Sequence, residues 1–198
     1  MAVSKTKAKL VDVARQLFAK MGVENTTMND IALASKKGRR TLYTYFKSKE
    51  DIYMAVVESE LDMLSESMGR VVTRNISPTE KILALIYTRL DSVKEVVYRN
   101  GTLRANFFRD IWRVEKVRKK FDAKEIQLFH QILEEGQQSG MFHLDDVRMT
   151  AEIMHYCLKG IEVPYIRGRI GADLDMETRK KYVANLVFGA LHKTEINK

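Results

Sequence analysis

Seven consecutive residues, Arg39 to Tyr45, bring two guanidinium groups, two threonine hydroxyls and two phenols into less than two turns of a helix. A guanidinium offers a rigid fork of donors that matches a phosphate or the O6/N7 edge of guanine, and hydroxyls bond phosphate oxygens. Leu42 and Phe46 stand at i and i+4 and form an apolar side, which leaves Arg39, Arg40, Thr41, Tyr43 and Thr44 on the other sides. Lys37, Lys47 and Lys49 flank the segment and add charge. The chemistry on offer is recognition of anions and base edges. A helix this short does not persist alone in water, so it must dock on something.

The docking partners lie just upstream. Thr27 is a good N-cap and Asp30 can complete a capping box, which predicts a short helix from Met28 that presents Ile31 and Ala34. That helix ends at Ser35-Lys36-Lys37-Gly38, where Gly38 is expected to take the unusual backbone angle of the turn and to cap the next helix. Before it, Leu10, Val13, Ala14, Leu17, Phe18 and Met21 form one face of a first helix that stops at Gly22. Ile31, Leu42 and Phe46 would pack against that stripe. Two short helices across a tight turn, the second carrying the polar groups, match a helix-turn-helix that reads a major groove.

The spacing of Phe18, Gly22, Thr26-Thr27, Ile31-Ala32, Thr41-Leu42-Tyr43, Tyr45-Phe46 and Lys49-Glu50 resembles the N-terminal domain of the TetR (tetracycline-repressor) family of bacterial transcription regulators, over about the first quarter of the chain. Two departures stand out. Lys37 replaces the small apolar residue usual in the turn, and Arg40 stands where a glycine often precedes the threonine, so both add positive charge. The resemblance implies an all-α protein, with a helix-turn-helix domain over residues 1–48 and a helical effector-binding and dimerisation domain over 49–198. It implies a homodimer on a near-palindromic operator in double-stranded DNA. Thr27, Lys47, Lys49 and the lysines at 5, 7 and 9 would hold phosphates, Arg39, Arg40 and Thr41 would meet base edges, and Lys37, Tyr43 and Tyr45 would complete the DNA-binding set.

Charge agrees with this division. Residues 1–50 hold eleven Lys and Arg against four Asp and Glu, a net of +7, whereas the other 148 residues hold 23 against 22. A polyanion would therefore be drawn to the N-terminal quarter. No run approaches the roughly 20 apolar residues that span a bilayer, and the N-terminus lacks the apolar core of a secretory signal. Cys157 is the single cysteine, so no internal disulfide can form, and a cytoplasmic location is expected.

Farther along, apolar residues recur at helical spacing throughout. Ser48 and Asp51 read as the capping box of a long helix reaching about Thr73, in whose first turn Lys49 is unfavourable for the helix dipole unless a phosphate sits beside it. Pro78 opens the next helix, which should stop at Asn100-Gly101, followed by one near Leu103 to Arg113. The basic run Arg113 to Lys120 reads as a solvated helix end or loop before a helix from Phe121 to Gln138. The last two helices, Asp145 to about Pro164 and Asp175 to about His192, are apolar on more than one face, and the resemblance makes them the dimer interface.

Nothing resembles a catalytic centre. The four histidines have no Cys or carboxylate at metal-ligand spacing, and there is no phosphate loop or nucleophile elbow, so neither enzyme, metal nor cofactor is expected. Tyr87, Phe107, Phe108, Trp112 and Phe129 are candidates to line an effector pocket, and Arg89, Arg104 and Arg109 could complement an anionic effector. The composite expectation is a repressor released from DNA by an unknown small molecule. Two alternatives are a structural or division-control DNA-binding protein of the same fold without an effector, and a helical enzyme or carrier whose basic N-terminus is incidental.

Overall fold

The computed structural model describes residues 5–99 and 111–191, without the side chains at 97–99, 111–116, 176 and 190. Eight helices and no strand occur among the described residues. In chain order they are α1 (Lys5–Met21), α2 (Met28–Ala34), α3 (Arg39–Tyr45), α4 (Lys49–Val72), α5 (Pro78–Arg99), α6 (Ile111–Gln138), α7 (Val147–Ile166) and α8 (Met176–Leu191).

Local chemistry sets most of the boundaries. Gly22, at φ +89°, ends α1. Three capping boxes open α2, α4 and α5. Thr27 and Asp30 cap α2 reciprocally. Ser48 and Asp51 do so for α4, where each accepts the other's amide at 3.1 Å. At α5 the Glu80 carboxylate accepts from the Ser77 amide at 2.9 Å. Each box satisfies amides that the first helical turn leaves free, and losing such a cap costs about 1 kcal/mol. Asp146 caps α7, accepting from the Met149 amide at 2.9 Å.

The basic run Arg113 to Lys120 is not a loop before a helix at Phe121 but lies in the opening turns of α6, which is continuous from Ile111 to Gln138. Lys, Arg and Glu are good helix formers, and no Gly or Pro interrupts the sequence before Gly136. The helix expected to reach about Pro164 ends at Ile166, two residues beyond that proline. The stop comes at Gly168, φ +64°, where the Gly168 amide donates to the Tyr165 carbonyl at 3.0 Å and the Arg169 amide to the Pro164 carbonyl at 2.9 Å. The expected stop at Asn100-Gly101 and the expected helix from Leu103 fall on residues outside those described, apart from 111–113, which open α6.

The chain divides into two compact units, one through Met63 with Glu95–Phe121 and the other Leu64–Lys94 with Asp122 onward. In the first, Leu10, Val11, Ala14 and Phe18 of α1, Ile31 and Ala32 of α2, Leu42 of α3 and Phe46 just beyond it form one buried cluster with Ile52, Tyr53, Val56 and Val57 of α4. Each such side chain contributes roughly 1.5–3 kcal/mol by leaving water. That is what holds the two seven-residue helices in shape.

The second unit buries Ile82, Leu85, Ile86 and Leu90 of α5 with Leu128, Phe129, Ile132 and Leu133 of α6 and Ala151, Leu158 and Ile166 of α7. Phe142 folds back over Gly136, where a Cβ would lie 2.0 Å from the ring. Charge is buried as well. Arg89 of α5 is fully inaccessible and pairs with Glu125 of α6 at 2.8 Å and Glu162 of α7 at 2.7 Å. Burial disfavours its charge, but the two carboxylates outweigh burial and raise its pKa above the ordinary value. Glu125 also meets His155 Nδ1 at 2.6 Å. Removing one partner of such a cluster strands charge in the core, at about 3–5 kcal/mol.

Candidate nucleic-acid interface

The N-terminal unit positions its polar residues by what it buries. Leu42 is fully inaccessible and Phe46 nearly so, and the opposite side of α3 is left outward. Arg39, Arg40 and Thr44 are exposed and Thr41 is half-buried. Tyr43 is 43% exposed, whereas Tyr45 is half-buried and packs partly against the apolar cluster. The Thr44 hydroxyl donates to the Arg40 carbonyl at 2.9 Å, which turns that side chain back on its own helix. Thr27 is exposed, but its hydroxyl is engaged by Asp30, as donor at 2.7 Å and as acceptor from the Asp30 amide at 3.2 Å. Hydrogen bonds from Thr27 hold the Asp30 carboxylate below its ordinary pKa, so the cap is fully charged at neutral pH.

The turn between α2 and α3 is built differently from the sequence expectation. Gly38 caps α3 with an ordinary extended backbone, φ −65° and ψ 149°. The left-handed residue is Lys36, at φ 54°. Its amide donates to the Leu33 carbonyl at 3.0 Å, and the Lys37 amide to the Ala32 carbonyl at 3.1 Å. This pair of bonds closes a Schellman motif around a lysine, where glycine is the usual residue. Lys36 is thereby left exposed beside the half-buried Lys37. Sequence reasoning missed Lys36 as a backbone-determining residue, and only its place directly after the C-cap Ser35 could have signalled it.

Lys49 is also placed differently. It opens α4, but its ammonium reaches back to the loop after α1 and donates to the carbonyls of Val23 at 2.7 Å and Glu24 at 3.1 Å. The two carbonyls satisfy the charge that seemed to call for a phosphate. Lys47 is exposed, and its amide donates to Asp51 at 2.9 Å. Lys37, Arg39, Arg40 and Lys47 form no side-chain ion pair among the described residues, although 30% of the whole chain is charged. Cations without an internal partner are available to an anion from outside.

The candidate effector residues are only partly covered. Phe107 and Phe108 lie outside the described residues, as does the side chain of Trp112. Phe129 is fully buried in the core of the second unit. Tyr87 is half-buried, with its phenol oxygen sealed from solvent and without a hydrogen-bond partner among the described residues. Burial, followed by the nearby Asp91, raises its pKa and keeps the phenol neutral. Arg89 is corrected: the carboxylates of Glu125 and Glu162 already engage it, so it is not a free cation for an anionic effector. A shallow depression of about 250 Å³ lies between Gln137, Phe142 and Asp145, and neither Tyr87 nor Phe129 lines it. No cluster of three potential metal ligands exists among the described residues.

Comparison with known proteins gives this geometry a context. Residues 10–56 match the model of the bacterial regulatory proteins of the tetR family, and residues 77–184 match that of the QacR-like C-terminal region. The chain is 25% identical to the transcriptional regulator QacR of Staphylococcus aureus, over 78% of this chain and 83% of that protein. It is 28% identical to the transcriptional repressor KstR2 of Mycolicibacterium smegmatis, over 69% and 67%. Among solved structures, a transcriptional regulator from Cytophaga hutchinsonii shares the fold at a TM-score of 0.77 and 22% identity, covering 96% of this chain and all of that one. A TetR/AcrR-family regulator from Thermobifida fusca does so at 0.67 and 23%, again covering 96% and 100%. With one family model over the reading helices and a second over more than half of the chain, this protein belongs to the tetR family of DNA-binding bacterial transcription regulators.

Proposed function

We propose that the protein is a homodimeric, cytoplasmic repressor that leaves a near-palindromic operator when a small molecule binds its C-terminal region. The observation that carries the DNA part is the exposed Arg39, Arg40 and Lys47 with the half-buried Lys37, none ion-paired among the described residues, around a reading helix whose other side is anchored by Leu42 and Phe46. Arg39, Arg40 and Thr41 meet base edges, Tyr43 flanks them, and Thr27, Lys36, Lys37 and Lys47 meet phosphates. Tyr45 and Lys49 act mainly by holding the head together. The sign of regulation follows KstR2, which is named a repressor.

Pairing through the last two helices is supported by their exposed apolar residues. Met149, Ile153 and Tyr156 of α7 follow one another at i, i+4 and i+7 and are 54%, 55% and 63% exposed. Tyr182 and Leu186 of α8 are 64% and 77% exposed at i and i+4. Such stripes on consecutive helices suit a self-complementary twofold contact. Tyr87 supports an effector site, since its sealed hydroxyl has no partner among the described residues and would gain one from a polar ligand atom. Only a ligand that binds a DNA-incompetent conformation more tightly can release DNA.

Titration of duplex DNA at several salt concentrations tests the reading. Binding should weaken steeply with salt, with a logarithmic slope of about −0.9 per phosphate neutralised. A slope near zero would sink it.

A further inference from the structure

Arg15 of α1 turns its guanidinium toward α4. Its Nε lies 2.9 Å from Glu60 Oε1, and Nη2 donates to Ser59 Oγ at 2.8 Å. Nη1 holds Asp12 on its own helix at 2.8 Å. Glu60 is 7% exposed, so water and salt screen the pair far less than they would at the surface. The guanidinium thus meets two neighbouring side chains of α4 at once, Glu60 by charge and Ser59 by a hydrogen bond, from one rigid plane. Two further ties bind the same helix to the head: Lys49 on the Val23 and Glu24 carbonyls, and the apolar seam Ile52, Tyr53, Val56 and Val57. The opening turns of α4 are therefore held at their start, along their length and at Glu60.

We infer that Arg15 and Glu60 are positioning residues for operator half-site spacing: they make α4 up to Glu60 part of the reading head. The flexure that lets two heads change their separation then lies beyond Glu60, not at the Phe46–Ser48 connection. The inference rests on the proposed dimeric operator-binding reading. From Lys49 to Glu60 a helix measures roughly 17 Å at 1.5 Å per residue. If that lever pivoted freely at its base, a swing of about 10° would displace a head by about 3 Å, close to the 3.4 Å step between base pairs. With the lever clamped, adding or removing one base pair between half-sites must strain the complex, so spacing is discriminated. With the Arg15–Glu60 tie lost, α4 is held to the head only as far as Val57, so each head yields more readily to a shifted half-site and discrimination weakens, while contacts within a half-site are unchanged.

The test uses the full chain and an inverted repeat recovered from a random pool. Affinity is measured for the repeat, for one half-site alone, and for repeats lengthened or shortened by one base pair. The wild type should lose about tenfold or more on altered spacing, a strain of roughly 1.4 kcal/mol. In Arg15→Ala and Glu60→Gln that loss should shrink to about threefold or less, with half-site affinity within about twofold of wild type. Asp12→Asn, which removes only the partner on the same helix, should keep wild-type discrimination. The inference is overturned if both variants discriminate as the wild type does, or if half-site and full-site affinity fall by the same factor, since the pair would then only stabilise the head. A wild type that prefers no repeat over its half-site overturns the operator reading and the inference with it, a pattern distinct from failure of the clamp alone.

Discussion

Replacing Lys36 by glycine should stabilise the protein although it deletes a cation from the most basic part of the chain. Lys36 sits at φ 54° directly after the C-cap of α2, with its amide bonded to Leu33 and the next amide to Ala32. A left-handed conformation costs an L-residue about 1–2 kcal/mol, a cost that glycine avoids. Glycine also gains freedom in the unfolded chain, which takes back about 0.4–1 kcal/mol. The net expectation is a gain of about 0.5–1 kcal/mol for Lys36→Gly over Lys36→Ala, because both variants lose the same charge and only one relieves the backbone. Urea unfolding of the two variants, read as a shift in midpoint at constant slope, measures the difference. Both should show the same flattened salt dependence of DNA binding. If the glycine variant is no more stable than the alanine variant, the turn is not strained where the structure puts it, and the Schellman account of the α2–α3 connection fails.

Arg40→Ala should relax base preference and cost about 1–3 kcal/mol of operator affinity, whereas Lys37→Ala should weaken all sequences alike and flatten the salt slope by about 0.9; binding titrations on operator and random DNA separate the two. Gly136→Ala should destabilise the second unit by about 1–3 kcal/mol, since its Cβ would meet the Phe142 ring, and the penalty should vanish in a Phe142→Ala background, as a double-mutant cycle would read. Glu162→Ala should cost about 3–5 kcal/mol by leaving Arg89 buried with one carboxylate fewer, visible as a lowered denaturation midpoint with little change in half-site DNA affinity.

Which of these features the sequence disclosed depended on how local their causes are. The starts of α2 and α4 were legible because Thr27 with Asp30, and Ser48 with Asp51, close their hydrogen bonds within three residues. The two sides of α3 were legible for the same reason, since Leu42 and Phe46 fix its orientation by spacing. The turn was misread because a glycine's tolerance was taken for its use. Where α2 ends decides which residue must turn left-handed, and that residue is Lys36 rather than Gly38. The Lys49 contact spans 26 residues and the Arg89–Glu162 pair 73, so no local pattern could signal either. A basic run reads as either a helix end or a loop because its charge suggests solvation, although the same residues are strong helix formers and belong to the opening turns of α6.

The central claim is that an outward reading helix on each of two paired chains recognises duplex DNA. Selection of bound sequences from a random duplex pool tests it most directly. The account predicts enrichment of an inverted repeat whose half-sites lie about one helical turn apart, roughly 34–36 Å. Recovery of no symmetric sequence, with all duplexes bound alike, would contradict it.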